Sequence, residues 1–151
     1  MDQFRHHRWM IMCPFCLIGT GEADAELVAY RTSNTFVVPV PDQRPRNMGH
    51  CLILPTEHVT SLDTASTELR NEIFEVVSRV VAAVPKAFNA VGSIVQQNNS
   101  IPGQVLHHLH VHVIPRFHGD DFSQPDPDKV KVPFEMRAQQ AKRLRTALAS
   151  R

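Results

Sequence analysis

Short apolar runs predict the first strands of the chain. AELVAY (25–30) and TFVVPV (35–40) are rich in β-branched and apolar residues. The turn-like Arg31-Thr32-Ser33-Asn34 separates them, so they read as two neighbouring antiparallel strands. DQRPRNMG (42–49) is polar and turn-rich, and it leads into HCLILP (50–55), a third strand that Pro55 ends. The period then changes. Apolar residues at 69, 73, 76, 77, 80 and 84 share one helical face, with Thr64 or Ser66 available as the cap and Pro85 placed to end or kink the helix. Gly92 precedes a fourth strand, SIVQQN (93–98). NSIPG then turns the chain into VLHHLHVHVIP (105–115), whose alternation predicts a fifth strand hairpinned on the fourth. Residues 117–133 are polar and broken by prolines, as a surface loop is. Residues 134–149 put Phe134, Ala138, Ala141, Leu144 and Leu148 on one face of a C-terminal helix. This order predicts an α+β fold, a sheet of about five antiparallel strands with one long helix and a C-terminal helix.

Composition narrows the class. The chain has 151 residues, 42% hydrophobic and 21% charged, with a formal net charge of +1. That is enough chain for one core and one domain over 1–151, with 1–12 as an N-terminal extension. The basic excess of a dedicated nucleic-acid binder is missing, no apolar run is long enough to span a bilayer, and MDQFRHHRWMIM lacks the apolar region of a signal peptide. The expectation is a cytoplasmic protein with neither nucleic acid nor membrane as partner. Three cysteines do not make a disulfide framework, and Cys13-Pro14-Phe15-Cys16 has the C-x-x-C spacing that in a reducing compartment binds metal or does redox chemistry. Cys51, inside CLILP, reads as a buried small hydrophobe.

The fifth strand carries the chemistry. Successive strand residues point to opposite faces, so His108, His110 and His112 share one face while Leu109, Val111 and Val113 share the other. The apolar face suits the helix, and the imidazole face needs a polar cleft. Three readings compete: a solvated face, a metal cage, and a nucleophilic imidazole with its neighbours as proton and hydrogen-bond donors. His107 alternates onto the apolar side, where an edge or dimer contact suits it. His50, at the start of the third strand, is assigned no chemistry.

Residues 103–116, GQVLHHLHVHVIPR, resemble the signature of the histidine triad (HIT) superfamily of nucleotide hydrolases and transferases. CPFC at 13–16, DQRPRNMGHCLILPTEH at 42–58, the long helix and Gln97-Asn98-Asn99 follow in the family's order, so the resemblance covers residues 13–116. It implies that His110 attacks the α-phosphorus of a purine nucleotide and carries a covalent nucleotidyl group. His112 would bond the phosphate and assist the leaving group, and Gln104 would hold the α-phosphate or the leaving group. Asp42 takes the position that bonds the ribose in the family, although Asp after Pro41 is equally a turn residue. Phe36 and Val38 are candidates to wall the base, or simply core. The zinc-binding branch further implies a structural zinc on Cys13, Cys16, His58 and His108, so that His108 joins the triad to the metal. A homodimer pairing through the long helix and an edge strand is also implied.

Two departures stand out. The family's Asn before Gly-Gln falls on Gln97 here, which carries its role to Asn98 with Asn99 as the alternative. Val105 replaces a hydroxyl residue of some branches and removes one phosphate contact. The resemblance implies dinucleoside polyphosphates or AMP phosphoramidates as substrates. Two other functions remain open: a nucleotide-binding regulator with little turnover, and a hydrolase whose zinc is held by all three triad histidines.

Overall fold

A computed structural model describes residues 13–100, 107–124 and 128–150. The expected extension 1–12 and the beginning of the predicted fifth strand lie outside the described residues. Helix α1 (Pro14–Thr20) starts the described chain, with Pro at its first turn and Gly21 in the left-handed region as its stop. Strands β1 (Tyr30–Arg31), β2 (Thr35–Pro39), β4 (Cys51–Pro55), β5 (Gly92–Gln97) and β6 (Val111–Arg116) form one antiparallel sheet in the order β1-β2-β4-β6-β5. Strands β3 (Asp42–Gln43) and β7 (Val130–Lys131) pair separately. Helices α2 (Thr67–Phe88) and α3 (Phe134–Ala149) complete the α+β fold.

Alternation along the strands sorts residues between two cores. Val37, Cys51, Ile53, Leu109, Val111 and Val113 bury against Ile73, Val76, Val77, Val80 and Val84 of α2 and Ala141 and Leu144 of α3. Each fully buried aliphatic side chain of this kind stabilises the fold by roughly 1.5–3 kcal/mol. Phe36, Val38, Leu52 and Leu54 point the other way, onto Phe15 and Ile18 of α1 and Leu27. The apolar stripe expected on the long helix is thus the buried one, and Ser66 is its cap, accepting from the Leu69 N–H at 3.1 Å. Leu148 and Phe134, expected on the inner face of α3, are half-buried against the two cores.

Four expectations change. Residues 25–30 are not one strand: Ala25–Leu27 is a 3-10 turn that buries Leu27, and only Tyr30–Arg31 joins the sheet, opposite Val37 and Phe36. Pro85 does not end α2, which runs on to Phe88 because Ala87 and Phe88 are buried and Asn89, at φ 57, closes it in the left-handed region. The 117–133 loop contains β7, too short to show a period. His107 lies exposed in a bend before β6, not on the apolar face.

Gly49 fixes the approach to β4. It has φ +100, and a Cβ there would lie 2.8 Å from the Phe88 ring. Gly49→Ala should therefore cost about 2 kcal/mol or more in chemical denaturation, from backbone strain and overpacking together. Gly92→Ala, with nothing within 4 Å of its added carbon, should stay within about 1 kcal/mol. Equal losses at both sites would refute the account.

Candidate active site and metal centre

The β4–β6–β5 ladder sets the imidazoles in place. Leu52 and Gln96 lie opposite His112, and Ile53 and Gln97 opposite Val111, so the core holds the odd-numbered residues and the even ones face the α1 side. Only His112 lies within β6; His108, in a bend, and His110 precede it, and the Leu109 N–H between them donates to Val59 O at 2.6 Å. His108 and His110 are buried, and the His110 and His112 ring centroids are 4.9 Å apart.

Their hydrogen bonds make the three imidazoles unequal. A carbonyl can only accept, so the ring nitrogen facing one must carry the hydrogen. His108 Nε2 donates to Pro55 O at 2.8 Å, which leaves the Nδ1 lone pair facing the cysteines. His110 Nδ1 donates to His108 O at 2.7 Å, so Nδ1 carries a hydrogen and Nε2 lies outside that bond. His112 Nδ1 meets His50 Nε2 at 2.9 Å. His50 Nδ1 is buried without a partner, and an orphaned lone pair is cheaper than an orphaned N–H. The shared hydrogen therefore belongs to His50 Nε2, and His112 carries its own hydrogen on Nε2.

Burial lowers His112 and His108 to about 4; at His108 the bond to Pro55 O opposes it while His58 and His110 add to it, and at His112 His110 and Lys129 add to it. His50 is held well below the usual range, first by burial and then by His112, Lys129, Arg44 and His110.

Cys13, Cys16, His58 and His108 converge, their ligand atoms all within 4.8 Å of one another. Cys13 Sγ and Cys16 Sγ lie 3.5 and 3.6 Å from His108 Nδ1, and Cys16 Sγ lies 3.2 Å from His58 Nδ1. Two thiols and two imidazoles within one tetrahedron's reach are the donor set of a structural zinc, and the Pro55 carbonyl already orients one of them. Burial, with Cys13 beside it, pushes the Cys16 thiol up to about 12, so a cation is what would make it a thiolate ligand. Phe15, between the two cysteines, sets its ring 5.9 Å from His108 and 6.4 Å from His110.

The other expected residues separate. Asn99 accepts from the Leu62 N–H and Gln97 Nε2, each at 2.8 Å, and its own amide donates to Gln97, so it is built into the turn before α2. Asn98 accepts from Gln96 Nε2 at its side-chain oxygen, at 3.3 Å, and from Gln97 Nε2 at its main-chain carbonyl, at 3.0 Å. β5 ends at Gln97, opposite Val111, and Asn98 follows directly after that last pair. Asp42 is exposed on β3, opposite Lys131. Phe36 is 0% exposed, its ring between Gly19 and Arg31, so it offers no surface to a base and is a core residue; Val38 is buried with it. Gln104 lies outside the described residues.

The sequence reading missed two contributors. His50 was assigned no chemistry and yet bonds His112. Its signal was available, since two residues before Leu52 on the same face is where a β4 side chain reaches diagonally toward a residue opposite Leu52. Phe15 lay hidden inside the C-x-x-C motif.

Fold and site together define an antiparallel α+β protein with an imidazole row beside a Cys2His2 cluster. The profile of the HIT domain matches residues 21–119, and the chain belongs to the HIT family. An uncharacterized HIT-like protein of Methanocaldococcus jannaschii is 33% identical over 109 residues, 72% of this chain and 82% of its own length. The adenosine 5'-monophosphoramidase of Schizosaccharomyces pombe is 31% identical over 106 residues, covering 69% and 74% of the two chains. The zinc-bound histidine triad family protein of Mycobacterium smegmatis superposes with a TM-score of 0.76 at 29% identity, over 93% of this chain and 95% of that one.

The neutral His50–His112 pair predicts a pH dependence. Both folded pKa values lie below the unfolded value of 6.5, so the unfolded chain binds more protons at mildly acidic pH. The stabilisation is complete above 6.5 and is lost as pH falls toward 4, by roughly 2–3 kcal/mol for His112 at pH 4. Denaturation midpoints between pH 7 and 4 should fall less steeply in a His50→Gln/His112→Gln variant. Parallel curves would count against neutral imidazoles.

Proposed function

We propose that the protein is a nucleotide hydrolase or nucleotidyl transferase that cleaves at the α-phosphate of a purine nucleotide, with His110 as the nucleophile. The observation that carries this is the 2.7 Å bond from His110 Nδ1 to the His108 carbonyl, because it commits Nδ1 as the donor and makes Nε2 the nitrogen left to attack. In this reading Nε2 attacks phosphorus and the bond to the leaving group breaks. Water or another acceptor then takes the nucleotidyl group and returns the electron pair to Nε2. His112 Nε2–H would donate to a phosphate oxygen, where a fixed dipole stabilises charge as it develops. His50 fixes that tautomer. Asn98, next after the last pair of β5 with β6, is assigned to the phosphate side, Asp42 to the ribose and Gln104 to the α-phosphate or leaving group.

Zinc on Cys13, Cys16, His58 and His108 is part of the proposal, and when bound it would act structurally, neutralising the thiolates and tying α1 to the triad. A catalytic metal on all three triad imidazoles has less support: His108 faces the cysteines, and the Nδ1 atoms of His110 and His112 are already bonded. Pairing of two copies along edge strand β5 and α2 is supported by exposed Val91 and Val95, with exposed Phe74 on α2.

Rapid quench of wild-type protein with an adenylated substrate, followed by peptide mass analysis, should show an AMP adduct on His110. His110→Ala should lose the adduct and lower kcat by roughly three orders of magnitude or more. Saturable AMP binding with no adduct from any adenylated substrate would replace the enzyme with a nucleotide-binding regulator.

Metal analysis is a separate check. Wild type and His110→Ala should each carry one zinc per chain, while Cys16→Ser and His58→Ala should lose it and melt at lower temperature. Zinc lost from His110→Ala but kept in Cys16→Ser would move the metal to the triad.

A further inference from the structure

Cys13 and Cys16 are placed as a dithiol as well as a pair of ligands. The Cys16 N–H donates to Cys13 O at 3.1 Å, closing the first turn of α1, and Pro14 opens that turn. A hydrogen-bonded turn of four residues keeps its end Cα atoms within about 7 Å, and a disulfide spans about 4.4–6.8 Å between Cα atoms. Both Sγ atoms stand against His108 Nδ1, at 3.5 and 3.6 Å, and they lie within 4.8 Å of each other. Side-chain rotation is therefore what remains to bring the sulfurs to a bond length of about 2.05 Å. The two differ in access, since Cys13 is half-buried and Cys16 is 2% exposed. Cys51 is kept apart from both: it is buried in the core under α2, on the other side of the sheet from the core that Cys13 packs against. One sulfur open to solvent, with one internal sulfur in reach and the third excluded, is the arrangement of a reactive thiol beside its resolving partner.

On the zinc reading given above, we infer that Cys13 and Cys16 are also an oxidation site, at which a peroxide joins them in a disulfide, withdraws both sulfur donors from the metal and slackens the support of His110. The Cys13 sulfur attacks one peroxide oxygen, the O–O bond breaks, and the other oxygen leaves as water, so that Cys13 becomes a sulfenic acid. The Cys16 sulfur then attacks the Cys13 sulfur, the S–S bond forms, and the hydroxyl leaves as a second water. Two thiolates lose two electrons, the peroxide takes both, and two protons come from solvent. Of the four donors only His58 and His108 remain, where a structural zinc needs four. His108 keeps its bond to Pro55 O but is no longer tied to α1, whose Phe15 stands against the rings of His108 and His110. The His108 carbonyl that orients the His110 ring is thereby less firmly held.

The test treats zinc-loaded wild type and Cys51→Ala with hydrogen peroxide, and then with dithiothreitol and zinc. Peptide mass analysis after alkylation should show a Cys13–Cys16 disulfide with Cys51 still reduced, and a chelating dye should take up one zinc per chain in step with the loss of two thiols. The melting temperature should fall, and the rate of adduct formation on His110 should drop about tenfold. Reduction in the presence of zinc should restore all of these, and Cys51→Ala should behave as wild type. Sulfinate on Cys13 with Cys16 still a thiol, a disulfide through Cys51, or zinc retained after the 13–16 disulfide has formed each overturn the inference. An adduct rate within about twofold of the reduced protein overturns the link to His110. Protein that never binds zinc overturns the zinc reading alone, since mass and thiol counts still decide the disulfide. No adduct from any adenylated substrate overturns the proposed reaction, while thiol, mass and zinc counts still decide this site.

Discussion

A neutral imidazole offers one N–H and one lone pair, and burying three in sequence is possible only if the protein decides which nitrogen carries the hydrogen in each. Here every triad ring commits one nitrogen to a fixed partner and turns the other outward. His108 gives its hydrogen to Pro55 O, His110 to its own chain at His108 O, and His112 accepts from His50. What remains is Nδ1 of His108 toward the thiols and the Nε2 atoms of His110 and His112. Hydrogen-bond accounting thus makes three chemically identical side chains unequal.

His108 is where the two halves of this arrangement meet. Its Nδ1 faces Cys13 and Cys16, its Nε2 is bonded to the end of β4, and its carbonyl orients His110. A shift in the cysteine cluster therefore passes through one peptide unit to the His110 ring. Phe15 reinforces the link, since it stands against both rings and belongs to the same short helix as Cys16. A metal held by that cluster would thus stiffen the backbone that orients the His110 ring.

The parts of the fold governed by apolar period were legible in the sequence. The inner face of α2, the pairing of β5 with β6, the separation of Leu109, Val111 and Val113 from the histidines, and the convergence of Cys13, Cys16, His58 and His108 all appear in the structure. Elements shorter than a period were not legible. β3 and β7 hold two residues each, and α1 is seven residues opened by a proline, so neither gives alternation or a helical stripe to detect. The continuation of α2 through Pro85 was hidden for a different reason: burial of Ala87 and Phe88 outweighs a local cost of about 3 kcal/mol that sequence reasoning treats as decisive.

The loop between β3 and β4 was read only as polar and turn-rich, and its polar residues are what hold it. Gln43 and Gln140 exchange amide bonds at 2.7 and 3.1 Å in the interior, and Gln43 also bonds Val40 O and the Gly49 N–H. Asn47 donates to Pro115 O and to Asp120, whose carboxylate is held below the usual range first by Arg116, then by the Phe117 N–H and Asn47. Such networks specify a conformation through the cost of leaving any buried member unpaired, and that cost leaves no periodic trace in a sequence. The molecule is accordingly ordered by two different forces. Apolar burial decides where the imidazoles stand, because it acts on every second residue of β6. Satisfaction of buried amides and carboxylates decides what stands beside them, because it alone folds Arg44, Gly49 and His50 back toward that strand.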